Sequence, residues 1–277
     1  MPLVTRDALR NHTRRLHILL VEGNVVHQRV ATRLLENQGY SVALATNEQE
    51  VLAMLQQPCD LVLMDVQMPE MKSVVVAAGI RAEERHSGGH IPIVAMLANA
   101  VEGDQERCLN AGMDAYIDKP FKAAELLATI EACVSQTSTT DPAASPSHLP
   151  PSPDTCATQS SDAILSWEAG LSVVEGDEEL YRELLVIFRD SVPMQLENLL
   201  EALRVGNIVA VEQEAHSLKS AAANIGARVV SEVARSLEQA AKQHDVDAAH
   251  GFSAQLCSAF KELLTLLDVS ADEDNVR

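Results

Sequence analysis

One segment of the 277-residue chain arranges reactive side chains at helical spacing: Val211-Glu-Gln-Glu-Ala-His216-Ser-Leu-Lys219-Ser-Ala-Ala-Ala-Asn-Ile-Gly226. On a helix, residues three and four apart lie over one another. Val211, Ala215, Leu218 and Ala222 therefore form one apolar stripe, and His216 falls on a neighbouring face with Glu212, Lys219 and Ala223. The spacing predicts an imidazole projecting from the helix into water, with a cation one turn later and small residues (Ser220, Ala223) around it. A neutral imidazole nitrogen is a competent nucleophile near neutral pH. An adjacent ammonium would compensate an incoming anionic group. Phosphoryl transfer between proteins asks for this, since it depends on in-line positioning and charge compensation more than on covalent assistance. A lone histidine on an amphipathic helix is ordinarily a plain surface residue, so the spacing alone does not decide the matter.

A second set of chemical groups lies at the ends of short apolar runs. His17-Ile-Leu-Leu-Val21 stops at Glu22-Gly23-Asn24, and Leu61-Val-Leu-Met64 stops at Asp65. A third run spans 91–96. Such runs, bounded by turns, read as buried parallel strands. Helical patterns at 25–38, 47–56 and 100–111 lie between and after them. Alternating strand and helix implies a doubly wound α/β sheet, in which ligands sit at the carboxyl ends of the strands. Glu22 and Asp65 should thus converge.

The elements beyond are of another kind. Residues 137–160 are rich in Ser, Thr and Pro without periodicity and read as a linker. From 161 to 270 the pattern is helical throughout, with stripes such as Leu180, Leu184, Ile187 and Phe188. Gly206, Gly226 and Gln243-His244-Asp245 punctuate it, which predicts an all-α up-down four-helix bundle. Pro193 is placed to kink or start one of these helices. His244 and His250 read as surface residues. The chain divides into a lead-in (1–15, with Arg6, Arg10, Arg14 and Arg15), an α/β domain (16–136), the linker, the bundle and an acidic tail (271–277).

Composition narrows the partners. The formal net charge is -19. Residues 1–136 hold 12 Lys and Arg against 17 Asp and Glu, and residues 137–277 hold 9 against 23. So acidic a bundle would repel nucleic-acid phosphates. The five scattered cysteines form no CxxC pair, which suits a reduced, cytoplasmic chain. No apolar run reaches the roughly 18 residues of a membrane span. No P-loop, glycine-rich ATP lid or Cys/His zinc cluster is visible, so the chain is not expected to draw phosphate from ATP by itself.

Both halves resemble known families. His216-x-x-Lys219-Ser220-x-Ala-x-x-Ile225-Gly226, with Gly176-Asp-Glu-Glu-Leu, Phe188 and Leu237-Glu238, is similar to the histidine-phosphotransfer family; Ser220 stands where that family usually has Gly. Residues 16–134 resemble the response-regulator receiver family through Ile18-Leu-Leu-Val-Glu22-Gly-Asn24, Met64-Asp65-Val-Gln-Met-Pro69, Ile93-Val-Ala-Met and Tyr116-Ile-Asp-Lys119-Pro120. The resemblance implies a flavodoxin-like sheet of five parallel strands. It implies Asp65 as phosphoacceptor, a Mg²⁺ site at Glu22 and Asp65, and Lys119 on the phosphoryl oxygens with a cis bond to Pro120. It also implies that His216 is the phosphoacceptor of the bundle, Lys219 its charge-compensating neighbour, and receiver domains of response regulators or hybrid sensor kinases its partners.

Three departures bear on the receiver half. Gly23 replaces a metal carboxylate, Leu97 replaces the hydroxyl ending the fourth strand, and Lys72-Ser73 replaces the usual Asp-Gly. Losing one charge-assisted phosphate contact costs on the order of 1.5–3 kcal/mol. The departures imply weak Mg²⁺ binding, poor phosphorylation of Asp65, and a Tyr116 that is a half-buried packing residue rather than a switch. The leading expectation is a phosphorelay intermediate passing phosphate between partner aspartates and His216. The alternatives are an intact relay from Asp65 to His216 and a non-catalytic scaffold that modulates a sensor kinase.

Overall fold

The computed structural model describes residues 15–68, 71–98, 103–119, 123–136 and 164–274. The linker at 137–160, the lead-in arginines at 6, 10 and 14, and the Lys119–Pro120 bond lie outside those residues.

Five strands, β1 (His17–Val21), β2 (Ser41–Ala45), β3 (Leu61–Asp65), β4 (Ile93–Ala98) and β5 (Ala115–Lys119), pair in parallel in the order β2-β1-β3-β4-β5. Helices α1 (Val25–Asn37), α2 (Glu48–Met54), α3 (Ser73–Ser87), α4 (Asp104–Asn110) and α5 (Ala123–Gln136) connect and follow them. This is the doubly wound sheet expected from the alternating pattern. Side chains on a strand point alternately to opposite faces. Ile18, Leu20, Leu61 and Leu63 accordingly pack with α1 and α5 residues such as Leu34 and Ile130, while Leu19, Val21, Val62 and Met64 pack with Val51, Val76 and Ile80 from α2 and α3.

Local chemistry sets the boundaries. The Asn24 side chain accepts from the backbone N–H of Val26 and His27, starting α1 directly after β1. Asn47 caps α2 in the same way through Glu50 N–H. The third apolar run, expected at 91–96, becomes a strand at Ile93–Ala98: Pro92 precedes it and only its carbonyl joins the ladder, accepting from Val62 N–H at 2.9 Å. The helix expected at 100–111 starts at Asp104, after Gly103 with its positive φ of 110°.

The second half is the expected bundle. Its helices are α7 (Glu178–Arg204), α8 (Ile208–Asn224), α9 (Arg228–Lys242) and α10 (Val246–Asp274), preceded by the short α6 (Trp167–Val173). In turn α7 packs on α8, α8 on α9, α9 on α10, and α10 back on α7. The stripe Val211, Ala215, Leu218 and Ala222 is fully buried. Pro193 lies inside α7, which runs on either side of it. Gly226 ends α8's turn with φ of 74°; its carbonyl accepts from Ser166 N–H at 3.0 Å, and an added Cβ would come 2.3 Å from the Ser166 carbonyl oxygen. A glycine is required there on both counts. His244 and His250 are exposed, as expected.

The two halves touch. Asn24 Nδ2 donates to Ser217 Oγ at 2.8 Å, Arg29 pairs with Glu183 at 2.8 Å, and Arg33 pairs with Asp177 at 3.4 Å. The carboxyl edge of the sheet therefore lies against the face of α8 that carries His216.

Candidate phosphotransfer site

The bundle's site is built on two helices. His216 and Lys219 stand one turn apart on α8, and Glu238 reaches them from α9. Glu238 is a hub. Oε1 accepts from His216 Nδ1 at 3.1 Å and from Lys242 Nζ at 2.7 Å, and Oε2 accepts from Lys219 Nζ at 2.6 Å. Ser231 on α9 donates to the Lys219 carbonyl at 3.0 Å and fixes the two helices against each other.

The imidazole does not project into water. His216 is 9% exposed and Lys219 7%. The expectation of exposure came from the α8 pattern alone, and two neighbours outside that pattern overturn it. Glu238 draws both side chains toward α9, and the sheet's carboxyl edge covers the face through the Asn24–Ser217 contact.

Burial lowers the pKa of His216, opposed by the bond to Glu238, and the Lys219 charge pushes in the same direction as burial. The ring is therefore neutral near pH 7. Its proton belongs on Nδ1, beside the carboxylate, so the lone pair is on Nε2, the nitrogen that Glu238 does not engage. The Lys219 ammonium, 3.4 Å from Nδ1, adds field rather than a second proton. Burial would raise the Glu238 pKa, but hydrogen bonds from His216, Lys219 and Lys242 outweigh it and hold the group well below the usual carboxylate range.

Glu238 had no assigned role in the sequence reading, though a signal was there. Val230, Ala234, Leu237 and Ala241 make α9 amphipathic, and Glu238 falls within that buried face. A carboxylate on a core stripe requires a partner.

The sheet's site gathers Glu22 from the end of β1, Asp65 from the end of β3 and Lys119 from the end of β5, as expected. Lys119 Nζ lies 2.5 Å from Glu22 Oε2 and 3.0 Å from Asp65 Oδ2. Glu22 Oε1 accepts from Asn24 N–H at 2.9 Å, and His27 Nδ1 is 3.4 Å from Oε2. Burial works to raise the Glu22 pKa, but the Lys119 and His27 charges hold it far below the ordinary value. Asp65 Oδ1 accepts from Gln67 N–H at 3.0 Å. Ser73 Oγ donates to the Asp65 carbonyl at 2.6 Å, tying the start of α3 to the end of β3.

The departures lie near the strand ends: Gly23 follows β1, and Leu97 is the next-to-last residue of β4. Gly23 is exposed, and Leu97 is 2% exposed in the core on the α2/α3 side, with half-buried Tyr116 packed on the same cluster. Among the described residues no group of three His, Cys, Asp or Glu is arranged to hold a metal ion. Among the described residues, the Glu22 and Asp65 carboxylates are the side-chain oxygens that this cluster offers Mg²⁺, and both already face Lys119. A hard divalent ion is held through such carboxylates together with water and phosphate oxygens.

The Asn24–Ser217 contact joins the carboxyl edge of the sheet to the residue next to His216.

The response regulator receiver domain model matches residues 18–131, and the Hpt domain model matches residues 183–270. The chain is a receiver–Hpt fusion. It is 34% identical over 110 residues to hybrid signal transduction histidine kinase I of Dictyostelium discoideum, covering 38% of this chain and 6% of that protein. It is 34% identical over 135 residues to probable histidine kinase 4 of Oryza sativa subsp. japonica, covering 42% of this chain and 13% of that protein. The fusion thus spans a small fraction of the curated relatives it matches. A receiver domain of a Pseudomonas aeruginosa sensor histidine kinase, solved with magnesium coordinated in its active site cleft, is 39% identical over 44% of this chain and 99% of that one, with a TM-score of 0.40. A co-crystal structure of a Saccharomyces cerevisiae histidine phosphotransfer signaling protein with the receiver domain of its downstream response regulator is 26% identical, covers 46% of this chain and 94% of that one, and has a TM-score of 0.43. The receiver and Hpt domains together give the fusion a phosphorelay role in two-component signalling. Among the described residues no helix is long and apolar enough to cross a membrane.

Proposed function

We propose that His216 accepts a phosphoryl group from receiver aspartates of partner proteins and returns it to others. The observation that carries the reading is the Glu238 bond to Nδ1. It leaves Nε2 as the nucleophile. The Nε2 lone pair attacks phosphorus of an aspartyl phosphate; the P–N bond forms as the P–O bond to the carboxylate breaks. The ring gains positive charge, and the Nδ1 proton already points at a carboxylate that stabilises it. Lys219 spends one donor on Glu238, and its ammonium has two more for phosphoryl oxygens.

In this reading the receiver domain docks and regulates rather than carrying phosphate efficiently. Lys119 neutralises the Asp65 carboxylate, Gly23 supplies no metal ligand, and Leu97 offers no hydroxyl, so Mg²⁺ binds weakly. A cytoplasmic setting fits the free thiols of Cys59, Cys133 and Cys257.

A second reading, a relay within the chain from Asp65 to His216, is favoured by one observation: Asn24, at the carboxyl edge of the sheet, bonds Ser217 beside His216. One experiment separates the two. The intact chain is incubated with phosphorylated receiver domains and, separately, with acetyl phosphate, and acid-labile and base-labile phosphate are followed. Histidine label from receivers, with little aspartyl label from acetyl phosphate, supports the first reading. Label on both residues from acetyl phosphate supports the second, and no label under either condition leaves a non-catalytic scaffold.

A further inference from the structure

The contacts between the halves define a surface with its own logic. Two cations on α1, Arg29 and Arg33, one turn apart, face two anions of α7, Glu183 and Asp177. Asn24, whose Oδ1 caps α1, uses its Nδ2 on Ser217, the residue next to His216. The bundle half is strongly acidic, with 9 Lys and Arg against 23 Asp and Glu, so a basic α1 face is its electrostatic complement. A receiver approaching His216 from another molecule needs this same surface, because the imidazole is covered while the domains are docked. Tethering also gives the cis domain an effective concentration on the order of millimolar.

The latch is nevertheless weak. The two ion pairs are half-exposed, with the four side chains 26–42% accessible, so salt weakens them.

We propose that the receiver domain is a cis competitor for the His216 face, latched by Arg29 and Arg33, and that a receiver reaches His216 by displacing it. This rests on the reading of His216 as the phosphoacceptor. The favoured external partners are receivers whose first helix also presents cations at these two positions; those with an acidic first helix are excluded.

The test uses the full chain and one variant, Arg29→Glu, which turns an attraction into a repulsion outside both reactive clusters. Carbethoxylation of His216 by diethylpyrocarbonate, followed by peptide mass spectrometry, reads the cap without any partner. Exposed His250 serves as the internal reference. Arg29→Glu should accelerate modification of His216 roughly threefold to tenfold, with His250 unchanged. The swap Arg29→Glu with Glu183→Arg should return the slow rate, which a merely misfolded variant would not do. Labelling of His216 by a free-standing receiver domain charged with acetyl phosphate should rise in parallel. An unchanged carbethoxylation rate overturns the cap. Faster carbethoxylation with an unchanged, measurable labelling rate overturns competition. Faster carbethoxylation with no labelling of any variant sinks the phosphoacceptor assignment instead, and with it the displacement by receivers.

Discussion

The chain buries two lysine–carboxylate clusters, and they treat their nucleophiles in opposite ways. In the bundle, Lys219 and Lys242 discharge onto Glu238, a residue that takes no phosphate, and His216 beside them stays neutral with one nitrogen available. In the sheet, Lys119 sits on Asp65 itself and on Glu22. On the reading proposed above, the same pairing leaves one nucleophile available and occupies the other. Where the counter-ion is placed relative to the reactive atom matters more than how many charges are gathered.

The largest effect should come from removing the prepared nucleophile. His216→Gln should abolish histidine labelling by phosphorylated receivers while the bundle stays folded, since the glutamine amide can still donate to Glu238. Acid-labile phosphate retained in this variant would end the assignment, and circular dichroism checks the fold. Next in size is the attempt to release the quenched one. Gly23→Asp with Leu97→Thr should raise Asp65 labelling by acetyl phosphate by roughly tenfold to a hundredfold, as each restored phosphate or metal contact contributes on the order of 1.5–3 kcal/mol and part is lost to repacking at Leu97. Position 23 has room: an added Cβ would meet only Met68 Cε at 3.6 Å, an ordinary contact. Equal labelling of the natural and altered chains would show that the natural pocket is competent, and the internal relay would become the better account.

The hub itself can be cut. Glu238→Ala leaves the buried Lys219 ammonium without its carboxylate, and breaking a buried pair from one side costs about 3–5 kcal/mol. Thermal unfolding should move down sharply, and a melting point within a degree of the natural chain would show that Lys219 finds water instead. Lys219→Ala should be milder. It removes one cation from the phosphoryl oxygens but keeps Nε2, so the rate should fall roughly tenfold without reaching zero. An unchanged transfer rate would reduce Lys219 to a packing partner of Glu238.

How much of this contrast could be read from the sequence differs by element. β1 and β3 were legible because central strands buried on both faces are continuous apolar runs. β2, Ser41-Val-Ala-Leu-Ala45, is a short run rich in small residues with Leu44 40% exposed at the sheet edge, and it reads less clearly as a buried strand. The helix α3 begins Ser-Val-Val-Val, a β-branched stretch of weak helical preference, and tertiary packing of Val76, Ala77 and Ile80 overrides it. Glu22, Asp65 and Lys119 converge as expected because strand ends in this topology must. The burial of His216 was not legible, since periodicity within α8 carries no information about Glu238 on another helix or Asn24 in the other half.

The smallest effect sharpens the comparison at the level of a single proton. His216 meets Glu238 from α9, Lys219 from its own helix, and the field of Asp65 from the sheet. Burial is the largest influence and disfavours the charged ring, so the folded-state pKa lies below the ordinary value of about 6.5. The sign follows from linkage. Above the unfolded-state pKa both states are neutral, and the group contributes no slope. As pH falls through about 6.5, the unfolded chain binds a proton that the folded chain refuses, so stability declines, by at most about 1.4 kcal/mol per pH unit, until the folded-state pKa is reached. Titration of the His216 ring Cε1–H by NMR should give a midpoint below 6.5, and His216→Gln should flatten this part of the stability profile. A midpoint above 6.5 would mean that Glu238 dominates burial, and the imidazole would then enter transfer partly protonated.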